Sequence, residues 1–513
     1  MADRLLRWRR AAAAVLLALA FGQPAAAADL RIGVVADVLT LDPHNYRDRN
    51  TQTVVGNLYD GLFLRFGTQT VPALVKEFRQ IDATTYEATI LSGVRFHSGD
   101  PMTAEDVKYS LERLTVNGAI AGQTSPRKSL VGPIQSVEVL GPDRLRISLS
   151  GPWPIIRGSL ASEAIVNRRL IDRIGQGGLA TQVDGVGPYK LSAWSRGDNV
   201  VMERFADYYG GPAALSPVGP ARIDRVIFRV IPETSSRLAA LLAGEIDIAT
   251  EIPVHMRAQI QRSTRAKVMS VNGTRTFFIS LNNTRPPFND IRVRQAANHA
   301  VNRKLIIERL LAGTATPLNG VLSPESFGFN PNLAEYGYDP AKAKRLLAEA
   351  GHPNGIDITL DTIGANKDLA EVLAAMLSES GIRAKVQVWE GAVLTPLWQD
   401  ANKKERDAFL TSWGSAALEP TGIFVPTLQT RERGNSAGYS NPAVDKLLDT
   451  AGNEGDDAKR SALYQEAQAI VNKDVPWVFL WVPQDIYGVS NAVKDWEPHA
   501  SGMIYLHRAT VAR

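Results

Sequence analysis

Apolar and polar positions along this chain follow two periods, and the switches between them mark out its elements. Residues 30–35 form a short apolar run that predicts a strand, followed by a loop over 36–49 and a helix through Val54, Val55, Leu58 and Leu62. Residues 86–91 and 145–149 alternate as half-buried strands do. Between them, Val107, Leu111 and Leu114 recur at helical spacing behind Thr103, a good N-cap. Glu105 and Asp106 fall in that helix's first turn, where the backbone dipole favours negative charge. Together these pieces predict one α+β unit over about 47–185. Residues 223–231 predict another strand. Thr234 or Ser235 then caps a helix through Leu238, Leu241 and Leu242 that ends at Gly244, and 247–252 is extended again. Connections this short predict a right-handed crossover.

The second half repeats strand and helix in turn. Residues 277–282 predict a strand, and Asn289 or Asp290 caps one long helix through Val293, Ala297, Val301, Ile306 and Leu310, stopped by Gly313. Asp339 caps a helix through Ala343, Leu346 and Leu347 that stops at Gly351. A strand over 356–360, a helix over 368–380 ending at Gly381 and a strand over 384–389 complete an α/β lobe. After a helix over 457–472, the apolar run 477–482 reads as a strand placed to carry the chain back to the first lobe.

The N-terminus changes where the protein is expected to work. Arg4, Arg7, Arg9 and Arg10 precede an apolar run over 11–21 and a small-residue segment over 25–28, the layout of a secretory signal peptide. The run is well short of the roughly 20 residues that cross a bilayer as a helix, so cleavage after Ala28 is expected, by either the general or the twin-arginine route. The chain has no cysteine, hence neither a disulfide nor a lipidated cysteine anchor, which fits a free periplasmic protein. Cleavage removes four Arg and one Asp, turning 57 basic against 53 acidic residues into 53 against 52. A net charge that small leaves no footprint for nucleic acid or an anionic membrane surface.

Catalytic signatures are missing. The sequence contains no GxSxG elbow, HExxH helix, P-loop or complete GxGxxG, and its seven His are scattered without ligand spacing. No catalytic residue, metal or cofactor is therefore expected, although carboxylates that meet only in space leave a periplasmic hydrolase as the rival class.

Several segments, taken in order, resemble the peptide, nickel and opine class of extracellular solute-binding proteins, family 5. They are Thr40-Leu41-Asp42-Pro43, Asn57-Leu58-Tyr59-Asp60-Gly61-Leu62, Arg95-Phe96-His97-Ser98-Gly99-Asp100-Pro101 with Thr103-Ala104-Glu105-Asp106-Val107, and Gly185-Val186-Gly187-Pro188-Tyr189. Further on come Gly244-Glu245-Ile246-Asp247, Pro287-Phe288-Asn289-Asp290-Ile291-Arg292-Val293-Arg294-Gln295-Ala296, Tyr338-Asp339-Pro340 with Ala350-Gly351, and Tyr439-Ser440-Asn441-Pro442 with Val444-Asp445. The resemblance implies a two-lobed periplasmic receptor with a two-strand hinge. It divides the chain into lobe I over 29–271 with an extra subdomain, lobe II over 272–483, and a return to lobe I over 484–513. It also implies a monomer that closes around a small solute and delivers it to an inner-membrane ABC permease and ATPase. A sensor or chaperone of the same fold is a further alternative.

Peptide receptors of this family resemble one another in a loop where an Asp, three residues after a Trp, pairs with the peptide ammonium. Here the loop reads Ser412-Trp413-Gly414-Ser415-Ala416-Ala417-Leu418-Glu419-Pro420, and Ala416 stands at the Asp position. Burying an ammonium without its partner costs about 3 to 5 kcal/mol, two or more orders of magnitude in affinity. The Arg that dipeptide receptors carry after the strand at 356–360 is also absent, with no Arg before Arg383. Ordinary dipeptides are thus disfavoured, leaving longer or modified peptides, opines, amino-acid or sugar conjugates and metal chelates. The expected contacts are Trp413 as a stacking wall, the backbone of Gly414 and Ser415, and the side chains of Asp361, Glu419 and Tyr439, the two acids being candidates to replace the missing Asp. Tyr46 and Arg47 lie in the loop after the first strand, where α/β lobes bind ligands.

Overall fold

The structure is a computed structural model that describes residues 29–512 apart from 67–68, 162, 216–217, 400–405 and 416–417. The expected signal peptide lies outside the described residues.

A mixed sheet of 12 strands runs through both lobes. From one edge it passes through Ile382–Trp389, Ile356–Ile363, Ala408–Gly414 and Arg275–Leu281 to the long strand Trp477–Ser490. It continues through Ile248–Ala249, Asp29–Val34, Arg225–Val230 and Asn199–Arg204 to Tyr189–Ser195. The long strand joins the halves. Its first part pairs with Arg275–Leu281 and Ala315–Pro317, its second with Ile248–Ala249 and Ala266–Asn272, all antiparallel. Two chain segments therefore cross side by side between the lobes. Gly273 N–H donates to the Pro483 carbonyl at 3.0 Å, and a Cβ on Gly273 would sit 3.1 Å from that oxygen. The crossing is close enough to favour glycine.

Each buried apolar cluster draws on one side of this crossing. One cluster gathers Leu30, Ile32, Val226 and Phe228 with Val489 and Leu506, and another gathers Ile279, Val293, Leu360, Leu373 and Leu480. A separate cluster fills a subdomain of the first lobe. There a four-stranded antiparallel sheet is ordered Val75–Gln80, Thr85–Ile90, Arg144–Leu149, Ile134–Gly141, and the Ala104–Thr115 helix packs on it. Thr103 caps that helix as expected, with its backbone N–H donating to Asp106 Oδ2 at 2.9 Å.

Three local expectations change. The helix at 49 ends at Val55 rather than running to Leu62, because the segment that follows enters a hairpin of Phe63–Phe66 with Gln69–Pro72. The long helix after Asp290 divides into Ile291–His299 and Arg303–Arg309, since Asn302 accepts from Leu305 N–H and starts a new helix. The Thr234–Ala243 helix is capped by Glu233, which accepts from Ser236 N–H, and not by Thr234 or Ser235. Among the described residues no helix is long and apolar enough to cross a membrane.

Candidate functional site

Between the lobes lies a cavity of about 520 Å³, within the range of small-molecule sites. The Ala408–Gly414 strand supplies its floor from Phe409 to Gly414, and the neighbouring strand adds Arg275 and Phe278. Trp398, Asn366, Arg433, Gly434 and Ser436 also line it. Among the described lining residues, Arg47 is the one that belongs to the first lobe.

Trp413 lines the cavity, held by its Nε1, which donates to the Gly422 carbonyl at 2.9 Å. A Cβ on Gly434 would lie 2.8 Å from the ring, so glycine is what lets that loop close against it. The Arg433 guanidinium sits 5.4 Å from the ring centroid, a cation–π arrangement. Gly414 lines the cavity beside it. Ser415 turns away: it is buried against Gly422, and its carbonyl accepts Leu418 N–H at 2.9 Å, so that oxygen is used inside the turn. Ala416 lies outside the described residues.

The two acids expected to offer free carboxylates are already occupied, which corrects that expectation. Asp361 is 0% exposed and accepts from Trp389 Nε1 at 2.9 Å, Trp398 Nε1 at 3.0 Å and Arg406 at 2.9 Å. Its work is to hold Trp398, which does face the cavity, in one orientation. Glu419 is buried between Arg460 at 2.8 Å and Arg65 at 3.8 Å, and Arg65 belongs to the other lobe. Sequence spacing brought both acids near the site, but a buried carboxylate needs fixed partners, which here are arginines.

Tyr439 and Tyr46 are corrected for the same physical reason. The Tyr439 hydroxyl is buried and donates to Asp474 Oδ2 at 2.6 Å, and burial together with that carboxylate raises its ionisation far above the usual phenol range. Tyr46 is buried in the first lobe with the Arg127 guanidinium 5.2 Å from its ring centroid, and it lines a separate cavity of about 60 Å³. Burial raises its ionisation as well.

Arg47, the next residue, does emerge into the cleft. Its loop is pinned on both sides. Asp42 accepts from Arg113 at 2.8 and 2.6 Å, the His44 carbonyl accepts Ser125 Oγ at 2.6 Å, and Asp48 caps the following helix through Thr51 N–H at 2.8 Å. The backbone at Arg47 is thus fixed while its side chain is exposed, 3.4 Å from Ser129 Oγ.

Arg275, Arg433, Asn366 and Trp398 were not anticipated. Arg275 opens a mostly apolar strand and Arg433 sits in a loop, and neither position carries a spacing that sets it apart from ordinary surface arginines.

Two lobes on a double crossing, with a cavity of this size between them, define a solute receptor that opens and closes. The chain belongs to the bacterial extracellular solute-binding proteins, family 5, whose description matches residues 69–435. It is 29% identical over 470 residues to the glutathione-binding protein GsiB of Salmonella typhi, covering 89% of each chain. Among solved structures it is similar to HbpA2 from Haemophilus parasuis, with 23% identity, TM-score 0.87, and coverage of 94% of this chain and 100% of that one. It is also similar to the periplasmic binding protein DppA from Helicobacter pylori in complex with the peptide STSA, with 26% identity, TM-score 0.72, and coverage of 94% and 98%.

Proposed function

We propose that this protein is exported after loss of residues 1–28, works in the periplasm as a monomer, and closes its lobes around a short peptide or amino-acid conjugate. It then hands that solute to an inner-membrane ABC permease and ATPase. The moving bodies are 29–271 with 484–513 and 272–483, pivoting at the crossing beside Gly273 and Pro483. The observation that carries the reading is the inter-lobe cavity, with Arg47 on one side and the Trp413 strand on the other. A solute touching both sides stabilises the closed form over the open one, and only that difference can drive closure. The names of the relatives, a glutathione-binding and a peptide-bound protein, support a peptide-like solute. Their being binding proteins supports a receptor that leaves its solute chemically unchanged.

The test is native mass spectrometry of protein purified from periplasm, followed by calorimetry and solution scattering with glutathione and with short and modified peptides. A co-purified small molecule, saturable binding and compaction on binding are expected. Turnover of the solute, with neither saturable binding nor compaction, would sink the reading in favour of a hydrolase.

A further inference from the structure

We propose, resting on the receptor reading above, that the solute carries two or more separated acidic groups. In this proposal Arg275 and Arg433 hold it on the second lobe and Arg47 is the residue through which it draws the first lobe closed. The described lining of the cavity contains three arginines and no carboxylate. None of the three forms an ion pair with a described residue. Arg275 donates to the Ser412 carbonyl at 3.4 Å and Ser412 Oγ at 3.2 Å, Arg433 faces the Trp413 ring, and Arg47 reaches only Ser129 Oγ. All of these partners are neutral.

Two described carboxylates packed behind the site, Asp361 and Glu419, do not supply the missing charge, because Asp361 is held by Arg406 and Glu419 by Arg460 and Arg65. Three like charges around a partly apolar hollow raise its positive potential and concentrate anions there. A guanidinium presents a planar fork that matches a carboxylate in two parallel hydrogen bonds. An ammonium on the solute has no such reception, since the loop position of the expected acid is Ala416. Charge therefore selects acids and discriminates against cations.

The placement of the arginines divides their work. Arg275 and Arg433 stand on the same lobe as the Trp413 wall, so they engage a solute whether the cleft is open or shut. Arg47 comes from the opposite lobe on a pinned loop, so its contact with a solute held on the second lobe is made fully only on closure. An interaction of that kind is the one that shifts the conformational equilibrium.

Calorimetry and solution scattering on protein purified from periplasm test this with four probes: N-acetyl-aspartyl-glutamate, glutathione, trialanine and trilysine. The two acidic probes are expected to bind and compact the protein, with trialanine about tenfold to a hundredfold weaker, the worth of one charge-assisted hydrogen bond. Trilysine is expected to be weaker still, and added salt to weaken the acidic probes. Arg275→Gln and Arg433→Gln should each weaken the acidic probes by a similar factor while saturating probe still compacts the protein. Arg47→Gln should lose compaction even at saturation. Unfolding temperatures of the unliganded variants check that each is folded. If trialanine or trilysine closes the protein as tightly as the acidic probes, the charge assignment is overturned and the receptor reading stands. If Arg47→Gln compacts like the parent, the division of work is overturned. If no probe of either charge binds, this assignment falls, and the receptor reading falls with it only if no small molecule co-purifies from periplasm.

Discussion

Arginines serve opposite ends in two regions of the molecule. In the first lobe, Arg113 and Asp42 are 1% and 3% exposed at the side chain and form a two-bond pair behind the Arg47 loop. In the cleft, Arg47, Arg275 and Arg433 are exposed, and among the described residues their partners are neutral groups. A buried cation must find fixed partners when the chain folds, as Arg113 does in Asp42, so its charge is consumed by structure. A cation at the rim of a hollow stays solvated until something displaces the water. The same side chain is thus a fixed part of the scaffold in one place and an available binding group in the other.

The comparison breaks most strongly at the buried pair. Asp42→Ala leaves Arg113 inside the first lobe without its acid, and a loss of about 3 to 5 kcal/mol is expected in urea unfolding. Acid attacks the same neighbourhood. Burial, reinforced by the charge of Arg113, lowers the ionisation of His44 from 6.5 to about 4, and burial lowers that of His97 to about 4 as well. The folded state prefers both rings neutral, so their contribution is fully present above pH 6.5 and is lost as the pH falls toward 4. For His44 this is on the order of 3 kcal/mol at about 1.4 kcal/mol per unit. Unfolding measured from pH 7 down to 4 should show the decline, and a His44→Gln variant should flatten it in part.

Smaller effects sharpen the boundary between the regions. Asp361→Asn removes the charge that Arg406 answers and turns one acceptor beside Trp389 and Trp398 into a donor. A cost of about 1.5 to 3 kcal/mol is expected, together with altered tryptophan fluorescence and weaker solute binding, because Trp398 lines the cavity. Arg433→Gln should change unliganded stability by no more than about 0.5 kcal/mol. The added stability from a parent-saturating solute, about 2.7 kcal/mol at one hundred times its dissociation constant, should shrink in that variant under the same conditions. A large loss of unliganded stability would place Arg433 with the scaffold and erase the contrast.

Much of the architecture is legible along the chain because it rests on neighbours. The strand Asp29–Val34, the helix behind Thr103 and the helices capped by Asp290 and Asp339 follow from period and cap, both of which act within a few residues. The errors came where two local signals competed. The apolar period runs straight through Asn302, yet its side chain starts a second helix, and Glu233 outcompetes two better cap residues beside it.

Of the residues expected to meet a solute, Trp413, Gly414 and Arg47 line the cavity, whereas Asp361, Glu419, Tyr439 and Tyr46 are held by partners far away in sequence. The chain by itself determined the order of strands and helices, the apolar faces that bury them and the small net charge of residues 29–513. Only the tertiary structure decided which charges are spent and which are available. An ion pair such as Arg406 with Asp361 forms across 45 residues, and Arg47 comes to line one cavity with Arg275 and Arg433 only because the two lobes face each other. Periodicity and capping are short-range forces written residue by residue, while neutralisation of charge depends on which distant groups folding brings within a few ångströms.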